Sequence, residues 1–371
     1  MAADHEFIVV GAGLLGLAAG RALASRGRDV VVLEQAEVGH PDGGSQGSCR
    51  IFRLGYDDPG YVTMARQARE LWHQLEDVSG QQILRPTPHL TFGDGLQAVQ
   101  DGMRLAGAPA ELLTAREAAA RFPGIATGGP ALFEPESCVI AADLALRALA
   151  AAGPPVLAGV RVTAIEDDGR QVTLRADDGS VRTADQVIVC AGPWTARLLA
   201  QAGITLPSAP TLEQVGYLES AGGPPPEMPI FIGHAAPAPY GLPVPDSPLY
   251  KIGLHQSGPA ADPDDQDRGQ DAALAARLAE IAARYVPGFE PWPARTERCI
   301  YDNAPDEDFI LDRAGRLVIG CGTSGHGFKF GPLLGSWLAS LAMGEAAAGL
   351  PAERFGLARF SRVVAARPRP R

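Results

Sequence analysis

Four apolar residues, Phe7 to Val10, run into Gly11-Ala12-Gly13-Leu14-Leu15-Gly16 and then an Ala- and Leu-rich stretch to about Arg26. This reads as strand, turn and helix. A second apolar run, Asp29 to Leu33, stops at Glu34 and completes a βαβ unit. Tyr61 to Glu76 places Tyr61, Met64, Ala65, Ala68, Leu71, Trp72 and Leu75 on one stripe at helical spacing, expected in the same layer. From Ile83 the texture changes to short strands such as Leu90-Thr91-Phe92, broken by Pro, Thr and Gly, then two helical patches ending at Pro123-Gly124. A helix over Ala141 to Ala152, strands over Val160 to Ile165 and Val172 to Arg175, and the run Val187 to Cys190 before Ala191-Gly192-Pro193-Trp194 return to an α/β pattern. Residues 210–300 hold strand candidates at Leu212 to Glu219, Pro229 to Ile232, Pro248 to Leu254 and Arg295 to Tyr301, with an amphipathic helix over Ala272 to Tyr285. An antiparallel sheet is the economical arrangement. Last come the strand Leu317 to Ile319, a Gly-rich turn and a helix from about Gly331.

At 371 residues the chain can build one large or two modest domains that share a ligand. A net charge of −11 and a pI near 5.2 argue against nucleic acid or an anionic membrane surface as partner, which leaves a small molecule. The start, Met1-Ala2-Ala3-Asp4-His5-Glu6, has no basic n-region, so no leader is expected. Pro332 to Met343, the longest apolar stretch, is shorter than a membrane span and contains Gly335 and Ser336, as a buried core helix would. Five cysteines (Cys49, Cys138, Cys190, Cys299 and Cys321) with no C-x-x-C pair fit neither a disulfide framework nor a zinc site, and a reducing, cytoplasmic compartment is expected. The histidines show no H-E-x-x-H spacing, so no metal is assigned. The charged run Asp262 to Arg268 reads as a solvated loop and the tail from Arg362 as a frayed terminus.

With 44 glycines in the chain, G-x-G-x-x-G arises by chance roughly 0.6 times, so the pattern alone is weak. Its position between a strand and a helix, with Glu34 closing the second strand, makes it a nucleotide fingerprint: the glycines admit a pyrophosphate and Glu34 can accept from ribose hydroxyls. The fingerprint itself leaves NAD and FAD open. An N-terminal fingerprint, an interrupted first domain and a C-terminal segment that returns to the nucleotide favour FAD. The Gly-rich turn after Leu317 to Ile319, followed by a helix, would aim N–H groups and a positive dipole at an electron-rich ring such as flavin.

Six motifs carry a family resemblance: Gly11 to Gly16; Gly44-Ser45 through Arg50 and Arg53; Tyr240-Gly241-Leu242-Pro243; Lys251 with Gly253 and His255; Cys299-Ile300-Tyr301 with Asp306-Glu307 and Ile310; and Ser324-Gly325-His326-Gly327-Phe328-Lys329. In this order, over about residues 5–360, they resemble the monomeric sarcosine oxidase family, which includes N-methyltryptophan and pipecolate oxidases among the D-amino-acid-oxidase-like flavoproteins. The resemblance implies FAD held by Gly11, Gly13, Gly16, Glu34, Ser45, Arg50, Gly325, His326, Gly327 and Lys329, and tethered by a thioether from Cys299 to the flavin 8α carbon. It implies that Arg53 and Lys329, with Tyr240 beside them, hold a substrate carboxylate, which suits a planar guanidinium and a mobile ammonium. Lys251 matches the dioxygen-activating lysine, for which a snorkelling edge-strand lysine is the plainer alternative. His255 would share its strand face. Arg50 matches a cation close to the flavin, and Tyr240 and Tyr301 match pocket walls. The other four cysteines are expected to pack.

One departure stands out. Gln46 occupies a position where the family commonly has histidine, and Ser48-Cys49 replaces Asp-Thr, which bears on the flavin attachment. Phe231 is a candidate for reshaping the substrate pocket.

The expected fold is α/β, an FAD-binding Rossmann-like domain of glutathione-reductase type (1–82, 137–208 and 303–371). An α+β substrate domain with an antiparallel sheet interrupts it (83–136 and 209–302). The expected activity is a monomeric FAD-dependent oxidase that acts on the C–N bond of a secondary amino acid and reduces dioxygen to hydrogen peroxide. A dehydrogenase with another acceptor and a flavin-binding protein without turnover are the rival readings.

Overall fold

The computed structural model describes residues 3–222, 227–265 and 269–361. The tail from Arg362 and the end of the charged run, 266–268, lie outside the described residues. The chain forms two compact units: residues 1–45, 146–210 and 301–371 make the first, and 46–145 with 211–300 make the second.

The first unit is built on a parallel core. His5–Val10 lies between Val30–Leu33 and Val181–Val189, Val156–Leu157 extends it beyond Val30–Leu33, and Leu317–Cys321 runs parallel to the end of Val181–Val189. Strands buried on both faces read as unbroken apolar runs, which is why Phe7 to Val10 and Val187 to Val189 were legible. Antiparallel strands Val162–Asp167, Val172–Ala176 and Ile310–Ala314 complete the sheet. Helix Leu14–Ala24 packs against helix Gly331–Met343, where a Cβ at Gly335 would stand 2.5 Å from Ala18. That close approach explains the glycine inside an otherwise apolar helix. Gly331–Met343 is buried nearly all round, as expected, and no helix among the described residues is long and apolar enough to cross a membrane.

The second unit holds an eight-stranded sheet in the order Arg295–Asn303, Ala209–Leu218, Tyr250–Leu254, Pro239–Pro243, Ile230–His234, His89–Gly93, Ala131–Glu134, Glu111–Leu113. The expectation of an antiparallel sheet needs one amendment, because Ile230–His234 pairs parallel with His89–Gly93. Helix Ala272–Tyr285 covers one face, where Phe231, Tyr250, Ile252, Leu278 and Tyr285 form a core. The other face carries Val215, Tyr217 and Leu242, which pack with Cys49 and Val139 of a small sheet, Cys49–Phe52, Cys138–Ala141 and Leu84–Pro86.

Residues 46–82 and 137–145, expected with the nucleotide-binding domain, pack instead in the second unit. Cys49–Phe52 pairs along its length with Cys138–Ala141. Helix Pro59–Ser79, capped by Asp58 and ended by Gly80 in the left-handed region, packs on Leu96–Leu105, and Glu76 accepts from the Ile83 and Leu84 amides at 2.7 Å. The apolar stripe was right and its layer was not. Amphipathicity shows that a helix has a core to face, not which core.

Candidate active site

In the first unit the fingerprint takes the form the glycines dictate. Gly11 has φ +99°, and a Cβ there would stand 2.5 Å from the Cys190 carbonyl oxygen. A Cβ at Gly16 would overlap the Gly11 carbonyl oxygen, and one at Gly13 would crowd the Ser45 hydroxyl at 3.1 Å. Ser45 Oγ accepts from the Leu14 amide at 3.0 Å. Apart from this Ser45 bond the helix has no capping side chain at Gly13 and no acidic residue in its first turn, a combination that suits an anion at its positive end. Glu34 is buried. Its Oε2 accepts from the Ala12 amide at 2.7 Å and its Oε1 from Ala36 at 3.0 Å. His40 Nε2 lies 3.5 Å from Oε1, and two amides with this imidazole still leave the carboxylate lone pairs for ribose hydroxyls, so these residues fit an adenine dinucleotide.

The same unit contains the Gly-rich turn. Gly322, Ser324 and Gly325 have φ of +67°, +49° and +75°. A Cβ at Gly325 would overlap the Tyr301 ring, so the ring closes on the turn only because the residue is glycine. The His326 imidazole stacks on Phe309 at 4.9 Å, with Nε2 3.0 Å from the Glu307 carbonyl oxygen. Lys329 sits in a single helical turn, Phe328–Phe330, and is buried; its Nζ donates to the His326 carbonyl at 3.0 Å.

Sequence reasoning missed the residue that organises this turn. Asp302 Oδ2 accepts from the Gly322 amide at 2.6 Å, its carbonyl accepts from the Ser324 amide at 2.8 Å, and the Ser208 hydroxyl donates to Oδ1. Burial pushes its carboxyl up to about 6 against the pull of these bonds. Its place one residue after Tyr301 was the available signal.

In the second unit two cations, Arg50 and Lys251, act on Cys299. Tyr250–Leu254 lies between Ala209–Leu218 and Pro239–Pro243, so Lys251 is on an interior strand, not the edge strand of the plainer alternative. Lys251 is 5% exposed, donates to the Cys49 carbonyl at 3.4 Å, and has no carboxylate within ion-pair distance among the described residues. Burial lowers its pKa, as does nearby Arg50. Arg50 donates to the Cys49 carbonyl at 2.9 Å and to the Gln46 carbonyl. Cys299 is half-buried on Arg295–Asn303; burial pushes its thiol up, while Arg50 and Lys251 draw it down.

Glu297, also missed, is two residues before Cys299 and therefore on its strand face. It accepts from the Tyr217 hydroxyl at 2.6 Å and pairs with Arg295. Burial works against its charge, but these bonds prevail and hold it below the usual carboxylate range. Tyr217 is the cross-strand partner of Lys251, and the Lys251 Nζ lies 5.7 Å from its ring. Tyr240 pairs with Gly253 and lays its ring where a Cβ there would be, on the face that Lys251 shares.

Other predicted residues fall differently. The strand ends at Leu254, so His255 begins the turn at Gln256 and the strand-face argument does not reach it. Phe231 is fully buried among Phe92, Tyr250 and Tyr285 on the opposite face of the sheet, a core position and not a pocket wall. Gln46 donates to the Arg298 carbonyl at 3.1 Å and so braces the strand that carries Cys299. Arg53 stacks on Tyr56 at 4.0 Å in the second unit, whereas Lys329 belongs to the first.

A family model described as FAD dependent oxidoreductase matches residues 6–341. Peroxisomal sarcosine oxidase of Mus musculus is 35% identical over 372 residues, covering 92% of this chain and 94% of its own length. N-methyl-L-tryptophan oxidase of Yersinia pestis (strain Pestoides F) is 31% identical, covering 96% and 100%. Among solved structures, NikD, described as an unusual amino acid oxidase essential for nikkomycin biosynthesis, matches with a TM-score of 0.84 at 25% identity, over 95% of this chain and 97% of its own.

Proposed function

The chain belongs to the FAD dependent oxidoreductase family, and from that premise we propose that it oxidises the C–N bond of a secondary amino acid, N-methyl or cyclic, and reduces dioxygen to hydrogen peroxide. The observation that carries this reading is the buried Lys251, grouped with Arg50 and Cys299 on strands of one unit. Its support from relatives is that both a sarcosine oxidase and an N-methyl-L-tryptophan oxidase match nearly the whole chain.

FAD, when bound, supplies the two-electron acceptor that the amino-acid side chains lack. Gly11, Gly13, Gly16, Ser45 and Glu34 would hold its nucleotide half, the turn at Gly325 to Gly327 its ring, and Cys299 a covalent tether. Arg53 and Lys329 would neutralise and orient the substrate carboxylate, leaving the amine to bind neutral, with Tyr240 and Tyr301 as walls. The Lys251 ammonium, a fixed cation in a poorly solvated place, would stabilise negative charge as it develops on dioxygen. The proposal extends to a monomer in a reducing cytoplasm.

A peroxide-coupled screen over N-methyl and cyclic amino acids tests it. Peroxide with at least one of them is expected. Dye reduction without peroxide would turn the reading to a dehydrogenase, and neither would leave a flavin-binding protein without turnover. Acid precipitation tests the tether, because yellow colour should stay with the pellet and should leave it in Cys299→Ser.

A further inference from the structure

The second unit buries a histidine and a carboxylate that the proposed reaction does not use. His89 is 0% exposed and Glu134 is 1% exposed. They are cross-strand partners on His89–Gly93 and Ala131–Glu134, with His89 Nδ1 3.6 Å from Glu134 Oε2. Burying a carboxylate is costly unless it is paired and hydrogen-bonded, and an apolar pair would fill this sheet position without that cost. What Glu134 does with its other oxygen gives the reason. Oε1 accepts from the Leu54 amide at 2.7 Å and from the Ser137 hydroxyl. Leu54 follows Arg53, where the chain has just left Cys49–Phe52 and its ladder can no longer satisfy backbone donors.

Arg53 is thereby fixed from both sides. Before it, Phe52 is registered on Cys138. After it, the Leu54 amide is held by a charge-assisted bond. Its guanidinium lies 4.0 Å over the Tyr56 ring, which stacks on Tyr61 at 5.1 Å. Gly55 is fitted to the same carboxylate, since a Cβ there would stand 2.9 Å from Glu134 Oε2 and 3.3 Å from Val99.

We propose that Glu134, with His89 as its buried partner, is the positioning residue that aims the Arg53 guanidinium at the substrate carboxylate. The inference rests on the reading of Arg53 as a carboxylate-binding group. It adds that Glu134 sets the aim through a buried bond to the next amide and not through a contact of its own with the guanidinium.

The test uses the holoenzyme, with the best substrate of the peroxide screen for KM and kcat, and propionate as a carboxylate probe followed by its perturbation of the visible spectrum. Glu134→Leu is expected to raise KM and the propionate Kd by about 10-fold, with kcat changed far less, the signature of lost binding rather than lost chemistry. Glu134→Gln keeps an oxygen for the Leu54 amide and should stay within about 3-fold of the parent. Gly55→Ala, which displaces the carboxylate without removing it, should fall between them. Arg53→Met separates the two readings. If it leaves both constants unchanged, the carboxylate reading fails and the inference with it. If it raises them while folded Glu134→Leu and Gly55→Ala do not, Arg53 binds the carboxylate and Glu134 does not aim it. Should Glu134→Leu fail to fold, Gly55→Ala decides alone.

Discussion

The two chemically distinctive regions are made of different material. The turns at Gly11 to Gly16 and Gly322 to Gly327 are backbone constructions, defined by φ values and by the absence of Cβ atoms. The region around Cys299 is a side-chain construction, in which Arg50, Lys251, Glu297 and Tyr217 come from four separate strands and the backbone only spaces them. A backbone site should fail when any atom is added, whatever its charge. A side-chain site should keep its shape when a charge is removed and lose one function.

The largest contrast is expected between Gly16→Ala and Lys251→Met. The new methyl of Gly16→Ala would overlap the Gly11 carbonyl oxygen, a backbone atom that cannot swing aside, so the purified protein should retain less than about a tenth of the parent's FAD. Lys251→Met should retain full FAD and substrate affinity but lose about 100-fold or more in the dioxygen-dependent step, with an artificial acceptor still reduced. Equal loss in both assays for Lys251→Met would break the comparison. Because burial lowers the Lys251 pKa, the parent's dioxygen rate should fall with rising pH earlier than an ordinary lysine would require.

That contrast also explains what could be read from the chain. The backbone sites were legible because a glycine pattern between a strand and a helix is local and its physical reason is local. The strands Cys49–Phe52 and Pro239–Pro243 were not read as strands, since the first follows a Gly- and Ser-rich stretch and the second is bounded by prolines. Their partners, Cys138–Ala141 and Tyr250–Leu254, lie farther along the chain, and only pairing shows that Arg50 and Lys251 reach one carbonyl. Resemblance supplied the names of Lys251 and Cys299. It supplied nothing about Glu297, Glu134 or Asp302, whose roles are hydrogen bonds to neighbours distant in sequence.

Asp302 tests whether the Gly-rich turn is as purely a backbone site as its glycines suggest. Its carboxyl titrates at about 6 in the fold against an ordinary value of 3.8, so the folded state holds the proton more tightly than the unfolded chain. The stability this provides is complete below about pH 4 and is lost as pH rises through 6, a change of about 3 kcal/mol by linkage. Asp302→Asn carries no titrating proton and should lack that component, so the stability difference between variant and parent should move by about this amount between pH 4 and 7. Urea unfolding at several pH values measures it. Parallel curves would mean that the turn is stabilised without this group.

The smallest effect concerns Glu297, the one carboxylate paired within the side-chain site. Burial raises the Cys299 thiol, and the negative charges of Glu213 and Glu297 oppose the pull of Arg50 and Lys251 on it, so Glu297→Gln should remove one of the two opposing charges and lower the thiol's pKa. The other four cysteines are buried, so alkylation of folded, flavin-free protein from riboflavin-starved cells reports on Cys299, with Cys299→Ser as the blank. Labelling near pH 8 should be about 3-fold faster in Glu297→Gln and slower in Arg50→Gln. Tyr217 complicates the outcome in an informative way, because it donates to Glu297 and is the cross-strand partner of Lys251. If Glu297→Gln labels no faster, its charge is already neutralised by Arg295 and Tyr217. Cys299 would then be governed by its burial, its two cations and Glu213, and the side-chain site would be as insensitive to the Glu297 charge as the Gly-rich turns are.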